Sequence, residues 1–374
     1  MPVGLVVMRW NERVGTEILA KYPEEINITD KTLMQVYSTH EYSGEAGMIS
    51  LMVGSLNIAS YYTGPESGYY ILLLLNVDDD PDAYEGGISN VARTILQNLE
   101  NDTYKEIIPS LFQRLSVYPT LNAEQRLAMT YEDEIKRMII KRLRDEGVVS
   151  RSELAVWLKD QYKQGFIDLE SVFVELIRRG IVKEASVKGM PSSLIFLVND
   201  ILMLRRPPTE LLDDPADHGL PSRLVDDYRT ECKKYFSGYE VKDADNIRVL
   251  ELFTNPQTYQ TLKLLRTAIV TKNELEKLKK KGVEDLDDVL KLLWENKMIQ
   301  VFQDEQGNEY YALLTDFVIK NIFPKYLLNV IKKQYKQKSK ADDVLIEYLD
   351  VLEDSFTAMQ EAEQAEVEAI KAEE

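Results

Sequence analysis

The chain of 374 residues has one cysteine, Cys232, and two histidines, His40 and His218. A single thiol excludes an intrachain disulfide and a cysteine-rich zinc site. Two imidazoles so far apart in sequence make a histidine metal cluster or a charge-relay triad hard to assemble. Long apolar runs are missing as well. The longest, Tyr69–Leu75, has 7 residues, against roughly 20 for a span across a bilayer. The opening MPVGLVVMRW lacks the basic start and longer apolar core of a secretory leader. A cytoplasmic protein without a transmembrane segment is expected. Neither a G-x-x-x-x-G-K phosphate loop nor a G-x-G-x-x-G fingerprint occurs. No enzyme, cofactor or metal is therefore expected. What is present is 44% hydrophobic and 29% charged residues, the balance of a folded globular protein. The length suits about two to four domains.

The net charge of −18 is unevenly spread. Counting Lys and Arg against Asp and Glu gives 8 against 17 over 1–130 and 14 against 12 over 131–208. The counts are 5 against 10 over 209–245, 17 against 12 over 246–340 and 1 against 12 over 341–374. An acidic front, two mildly basic modules, an acidic joint and an acidic tail follow. Such asymmetry bears on partners rather than on fold.

In the front segment, 4–10 and 13–22 read as two strands joined by a tight Asn11-Glu12 turn. Asp30 is placed to cap a helix carrying Leu33, Val36 and Tyr37. Strands are predicted at 48–53, 56–62 and 69–76, the last two separated by the Gly64-Pro65-Glu66-Ser67-Gly68 turn. The unbroken apolar run 71–75 marks a strand covered on both faces. Beyond the acidic loop 78–82, Tyr84, Ile88, Val91, Ile95 and Leu99 line one helix face. Ile107, Ile108, Leu111, Phe112 and Leu115 line another. This β-β-α-β-β-β-α-α order resembles the longin fold of vesicle-trafficking and small-GTPase-regulating proteins, over roughly 3–118. The resemblance implies a longin-like sandwich over 1–120 that dimerises or docks a partner such as a small GTPase. It carries no residue-level motif across.

The chain also resembles itself. Val148-Val149-Ser150-Arg151-Ser152-Glu153-Leu154 reads beside Ile269-Val270-Thr271-Lys272-Asn273-Glu274-Leu275, each with a Ser/Thr-x-x-Glu capping box. The stretch 168–176 then matches 285–293, and the match runs without gaps to Gly180-Ile181-Val182 and Lys297-Met298-Ile299. The offset drops from 121 to 117 between the blocks, which places a four-residue insertion near 162–165. An amphipathic helix precedes each block, through Ile135, Met138, Ile139 and Leu143, and through Tyr259, Leu262, Leu265 and Ile269. A strand pair follows each, at 181–187 with 194–198 and at 298–303 with 309–314, the second joined by a polar turn at 304–308. Three helices and a hairpin look like a winged helix, so 131–208 and 246–340 are read as two such domains. A helical linker at 209–245, through Leu224, Tyr228, Cys232 and Tyr235, joins them. The expected fold class is α+β: a longin-like sandwich, two winged helices and a C-terminal helix.

Winged helices often insert the third helix into the DNA major groove. Here those helices open with Asp168 and Glu170, and with Glu284, Asp285, Asp287 and Asp288. Carboxylates there would face phosphates, whereas they suit the positive end of the helix dipole. Protein contacts are preferred, with Asp285, Asp287 and Asp288 as candidate partner-binding residues. The alternative, a nucleic-acid-binding or transcription-associated regulator, would use Arg178, Arg179, Arg205, Arg206, Lys279, Lys280 and Lys281, with Lys277 nearby. Tyr61, Tyr62, Tyr69 and Tyr70 flank one hairpin, and alternation would turn one of each pair outward as a partner patch. A core or homodimer face explains them equally well. Gly86-Gly87 and the acidic loop are read as close packing and a solvated turn, His40 as a helix-end residue and Cys232 as a buried side chain. In the tail 341–374, Leu345, Leu349, Leu352, Phe356 and Met359 form a two-heptad stripe, expected to pack on the second winged helix or a partner. Tandem winged helices used for protein contacts occur in the second ESCRT complex, in transcription accessory subunits and in ubiquitin-like ligase scaffolds. The resemblance implies a non-enzymatic adaptor, in the style of archaeal proteins that share trafficking modules with eukaryotes.

Overall fold

A computed structural model describes residues 2–43, 46–65, 67–99, 103–162 and 169–373. It is a mixed α+β protein whose sheet ladders are antiparallel. The chain begins with β1 (Gly4–Asn11), β2 (Gly15–Tyr22), α1 (Asp30–Ser43), β3 (Gly47–Val53), β4 (Leu56–Tyr62) and β5 (Tyr69–Leu75). A 3₁₀ turn at Pro81–Tyr84 leads into α2 (Glu85–Gln97), then α3 (Tyr104–Val117). The five strands form one sheet in the order β2-β1-β5-β4-β3. Because β1 and β5 are central, Leu5, Val6, Val7 and Met8 are all buried, as are residues 70–75. Tyr70, Leu72 and Leu74 share a core with Leu33 and Val36 of α1. Ile71, Leu73 and Leu75 alternate onto the opposite face, the side served by α2 and α3. The α1 cap differs from expectation. The Thr29 hydroxyl accepts from the Thr32 amide at 3.2 Å, so the capping residue stands one position before Asp30.

Next come α4 (Ala123–Glu132), α5 (Glu134–Glu146), β6 (Val148–Ser150), α6 (Arg151–Gln161), α7 (Leu169–Arg178), β7 (Val182–Ala185) and β8 (Leu194–Leu197). The second copy runs through α11 (Pro256–Leu265), β10 (Val270–Thr271), α12 (Lys272–Leu275), α13 (Leu286–Glu295), β11 (Ile299–Gln303) and β12 (Glu309–Leu313). Between the copies lie β9 (Asp200–Arg206), α8 (Thr209–Asp213), α9 (Val225–Gly238) and α10 (Asp243–Thr254); β13 (Asp316–Ile322), α14 (Leu327–Gln337) and α15 (Asp342–Glu373) close the chain. Both copies build the same small sheet, β6-β8-β7 and β10-β12-β11. Equivalent backbone bonds recur: Val198 N donates to Ile181 O at 2.9 Å, and Leu314 N to Met298 O at 2.8 Å. Asp168 and the insertion near 162–165 fall on or beside 163–168, outside the described residues.

The capping boxes differ in detail. Thr271 and Glu274 form the reciprocal pair, the Thr271 amide donating to Glu274 Oε2 at 2.8 Å. Ser150 accepts from the Glu153 amide at 3.2 Å, but the Glu153 carboxylate is drawn to Arg142. Each hairpin is followed, three residues on, by a strand that periodicity did not single out: β9 and β13. The two pair with each other as a separate two-stranded sheet.

Two compact units divide the chain: 1–121 with 133–200 and 322–374, and 122–132 with 201–321. The stretch 209–245 belongs to the second unit rather than standing alone. Its Tyr228 is fully buried and donates from its hydroxyl to Leu313 O at 2.8 Å. The tail expectation is corrected: α15 packs on the first repeat. Tyr348 donates to Leu197 O at 2.9 Å and its ring lies 5.3 Å from that of Phe196. Among the described residues no helix is long and apolar enough to cross a membrane.

Gly147 makes room for this docking. Its φ is +74° and an added Cβ would stand 2.6 Å from Tyr348 Cε1. Gly147→Ala is expected to lower unfolding free energy by about 1–3 kcal/mol, read from the urea midpoint. Tyr348→Phe should cost about 1 kcal/mol through the orphaned Leu197 carbonyl.

Candidate functional site

The tyrosine patch is not on the surface. Tyr61 is 3% exposed, Tyr62 9% and Tyr70 2%, and only Tyr69 is half-buried. Alternation does turn the pairs to opposite faces, but both faces of β4 and β5 are covered. Tyr62 and Tyr70 stack at 4.6 Å beneath α1, with His40 at 5.6 and 5.4 Å from their rings. His40 is 1% exposed, its Nε2 3.0 Å from Ser60 Oγ. Burial outweighs a backbone hydrogen bond with Ser60 and pushes the imidazole down to about 4. It is therefore a neutral core group and not a helix-end charge.

Four of the seven basic candidates have partners within the protein, although the side chains of Arg178 and Arg206 stay 56% and 49% exposed. Arg178 meets Glu85 at 2.8 Å and Arg179 donates to the Tyr118 hydroxyl at 3.3 Å. Arg205 was expected after a wing; it sits in β9 with its side chain 2% exposed. Its Nε and Nη2 donate to Asp245 at 2.7 and 2.9 Å and its Nη1 to Thr315 Oγ1 at 2.9 Å. Burial works against the Asp245 carboxylate, but Arg205 prevails and holds it below the ordinary carboxylate range. Arg206 donates twice to Asp316 Oδ2, at 3.0 and 2.8 Å. Lys279, Lys280 and Lys281 close a 3₁₀ turn, Glu276–Lys281, and remain exposed.

The acidic helix tip is open. Asp285 stands at the N-cap of α13 without a side-chain cap bond, and Asp287 and Asp288 occupy the first turn. All three are exposed, and Asp287 reaches Lys272 at 2.9 Å. In the first repeat Glu170 at the start of α7 pairs with Arg151. Leu292 and Trp294 further along α13 are 39% and 48% exposed.

A charge network missed from sequence recurs in both repeats. Each pre-block helix ends with an arginine that holds the aspartate opening the strand after the hairpin. Arg144 Nε donates to Asp200 at 2.8 Å, and Arg266 Nε to Asp316 at 2.8 Å. Arg266 also takes both oxygens of Glu124, at 2.8 and 3.0 Å, and the Phe317 carbonyl. Burial opposes its charge, yet these acids keep the guanidinium fully protonated. In the second unit the network walls a cavity of about 400 Å³, with Arg206, Glu210 and Lys320 around it. No histidine or cysteine lines it. There Arg206 and Arg266 pair with Asp316 and Glu124, so the recess is polar. Asp200 and Asp316 stand at matching places after the hairpins, which was the available signal.

A second network crosses the first unit. Lys136 is fully buried and pairs with Glu175 and, at 3.6 Å, with Asp133, which meets Arg93 at 2.6 Å. Burial alone would raise the Asp133 carboxyl, but Lys136 and Arg93 hold it below its usual range. Lys136 lies one turn from Ile140 on the buried face of α5, and that placement was its sequence signal. Burial pushes the Cys232 thiol up to about 12, leaving it an inert core group. Among the described residues no group of three or more His, Cys, Asp and Glu could hold a metal.

Lys136→Met should cost about 3–5 kcal/mol, because Glu175 is left buried and unpaired. Adding Glu175→Leu should recover most of the loss in urea unfolding. For His40 the folded pKa lies below the unfolded one, so the native state holds fewer protons between them. Stability should fall as pH drops from about 6.5 to about 4, by roughly 3 kcal/mol. His40→Phe should flatten that part of the pH profile.

No family model matches the chain, and no curated protein is similar to it.

Proposed function

We propose that the chain is a non-enzymatic adaptor that builds a protein assembly of the membrane-trafficking or ESCRT type. The front module is read as longin-like. In support, its strand order β2-β1-β5-β4-β3 carries α1 on one face and α2 and α3 on the other. Such a platform would dock a partner, with a small GTPase as the class implied. The two repeats are read as winged helices used for protein contacts. The observation that carries this reading is the commitment of Arg178, Arg205 and Arg206 to ion pairs within the protein. Binding a duplex through the buried Arg205 would break its pair, and the exposed Asp285, Asp287 and Asp288 would repel phosphates. The exposed acids at the start of α13, with Asp288 one turn from the half-exposed Leu292, suit a polypeptide neighbour.

The exposed Lys279, Lys280 and Lys281 favour one second reading, a regulator that touches nucleic acid through this turn. Fluorescence anisotropy with a duplex of about 20 base pairs separates the two at about 150 mM salt. The adaptor reading expects no saturable binding. Submicromolar binding that weakens steeply with salt, and is lost on Lys279→Glu with Lys280→Glu and Lys281→Glu, would replace it. For the protein partner, affinity capture by the full chain should return a defined species. The triple variant Asp285→Asn, Asp287→Asn, Asp288→Asn should lose it while remaining folded by circular dichroism.

A further inference from the structure

The C-terminal helical hairpin has arms of opposite sign. Residues 325–340 hold Lys325, Lys332, Lys333, Lys336, Lys338 and Lys340 and no acid, whereas 341–374 hold 12 acids and 1 lysine. Within the hairpin the arms meet at the turn, where Lys338 pairs with Asp342 at 3.3 Å. Lys332, Lys333 and Lys336 on α14, and Asp343, Asp350 and Glu353 on α15, are exposed and have no ionic partner among the described residues.

Both arms also carry apolar side chains that their own chain leaves open. On α14 Leu327 and Ile331 are buried, while Leu328 and Tyr335 are 46% and 53% exposed. On α15 Val344, Leu345, Tyr348, Val351 and Leu352 are buried, while Ile346, Leu349 and Phe356 are 57%, 44% and 37% exposed. Spacings of seven on α14, and of three and seven on α15, put each open set on one side of its helix. Each arm thus shows an apolar stripe bordered by charge of one sign.

We infer that a second copy of this chain covers these stripes, in a two-fold dimer with α14 of one copy across α15 of the other. A two-fold axis makes one patch self-complementary, and here it brings each basic arm onto an acidic one. A partner of a single sign would be attracted to one arm and repelled by the other. The inference rests on the adaptor reading only in its class. A chain that dimerises through this hairpin yet captures no other protein would refute the adaptor and leave the dimer standing.

Sedimentation velocity of the full chain over a concentration series tests it. The wild type should dimerise, and raising salt from about 50 mM to about 500 mM should weaken the dimer. Lys332→Glu with Lys333→Glu and Lys336→Glu should raise Kd by at least about tenfold, and so should Asp343→Lys with Asp350→Lys and Glu353→Lys. Mixed in equal amounts, the two reversed variants should form heterodimers at close to wild-type affinity, since each restores the other's complement. Circular dichroism melts establish that both variants fold. A wild type monomeric throughout the series overturns the proposal, leaving the stripes to another partner. So does a dimer indifferent to either reversal, or a pair of variants that does not re-form on mixing.

Discussion

Each repeat depends on an arginine at the end of its leading helix meeting an aspartate just past its hairpin. Arg144 with Asp200 and Arg266 with Asp316 are the same device used twice. It ties the leading helix of the repeat to the strand that leaves it, and so sets where β9 and β13 begin. Arg205 and Arg206 stand on one of those strands, and their pairing with Asp245 and Asp316 follows from it. Breaking one member of such a partly buried pair leaves its partner uncompensated, which is what makes the arrangement a constraint rather than an ornament.

The same constraint shapes the functional reading. The arginines that looked available for a nucleic acid meet partners within the protein, whereas Lys279, Lys280 and Lys281 stay exposed. What the surface offers instead is an acidic helix tip, an exposed tryptophan and a hairpin with oppositely charged arms. These favour polypeptide neighbours, as proposed above. Chemistry-bearing groups are withdrawn in a matching way: His40 is held neutral among tyrosines and Cys232 is held as a thiol.

Much of the local structure was legible. The apolar run in β5 announced a strand covered on both sides, and the Thr271–Glu274 pair announced a helix start. The repeat was visible because both copies bury the same pattern of side chains. Less legible were the tyrosines, since alternation tells which face a side chain takes and not whether that face is covered. The destination of α15 was likewise hidden, because its stripe fits any apolar groove. Gly147, whose missing Cβ admits Tyr348, supplied the groove on the first repeat.

By itself the sequence determined the elements of the front module and of the two repeats, their order and the duplication, because periodicity and capping act within a few residues of the chain; β9 and β13 lay outside it. It also determined that charge is segregated along the length. The tertiary structure alone decided which charges are spent. Arg205 and Asp245 are 40 residues apart, and Lys136 and Glu175 are 39 apart. Only folding brings such groups into contact, and whether a cation is free for a ligand depends on that contact rather than on its neighbours in sequence.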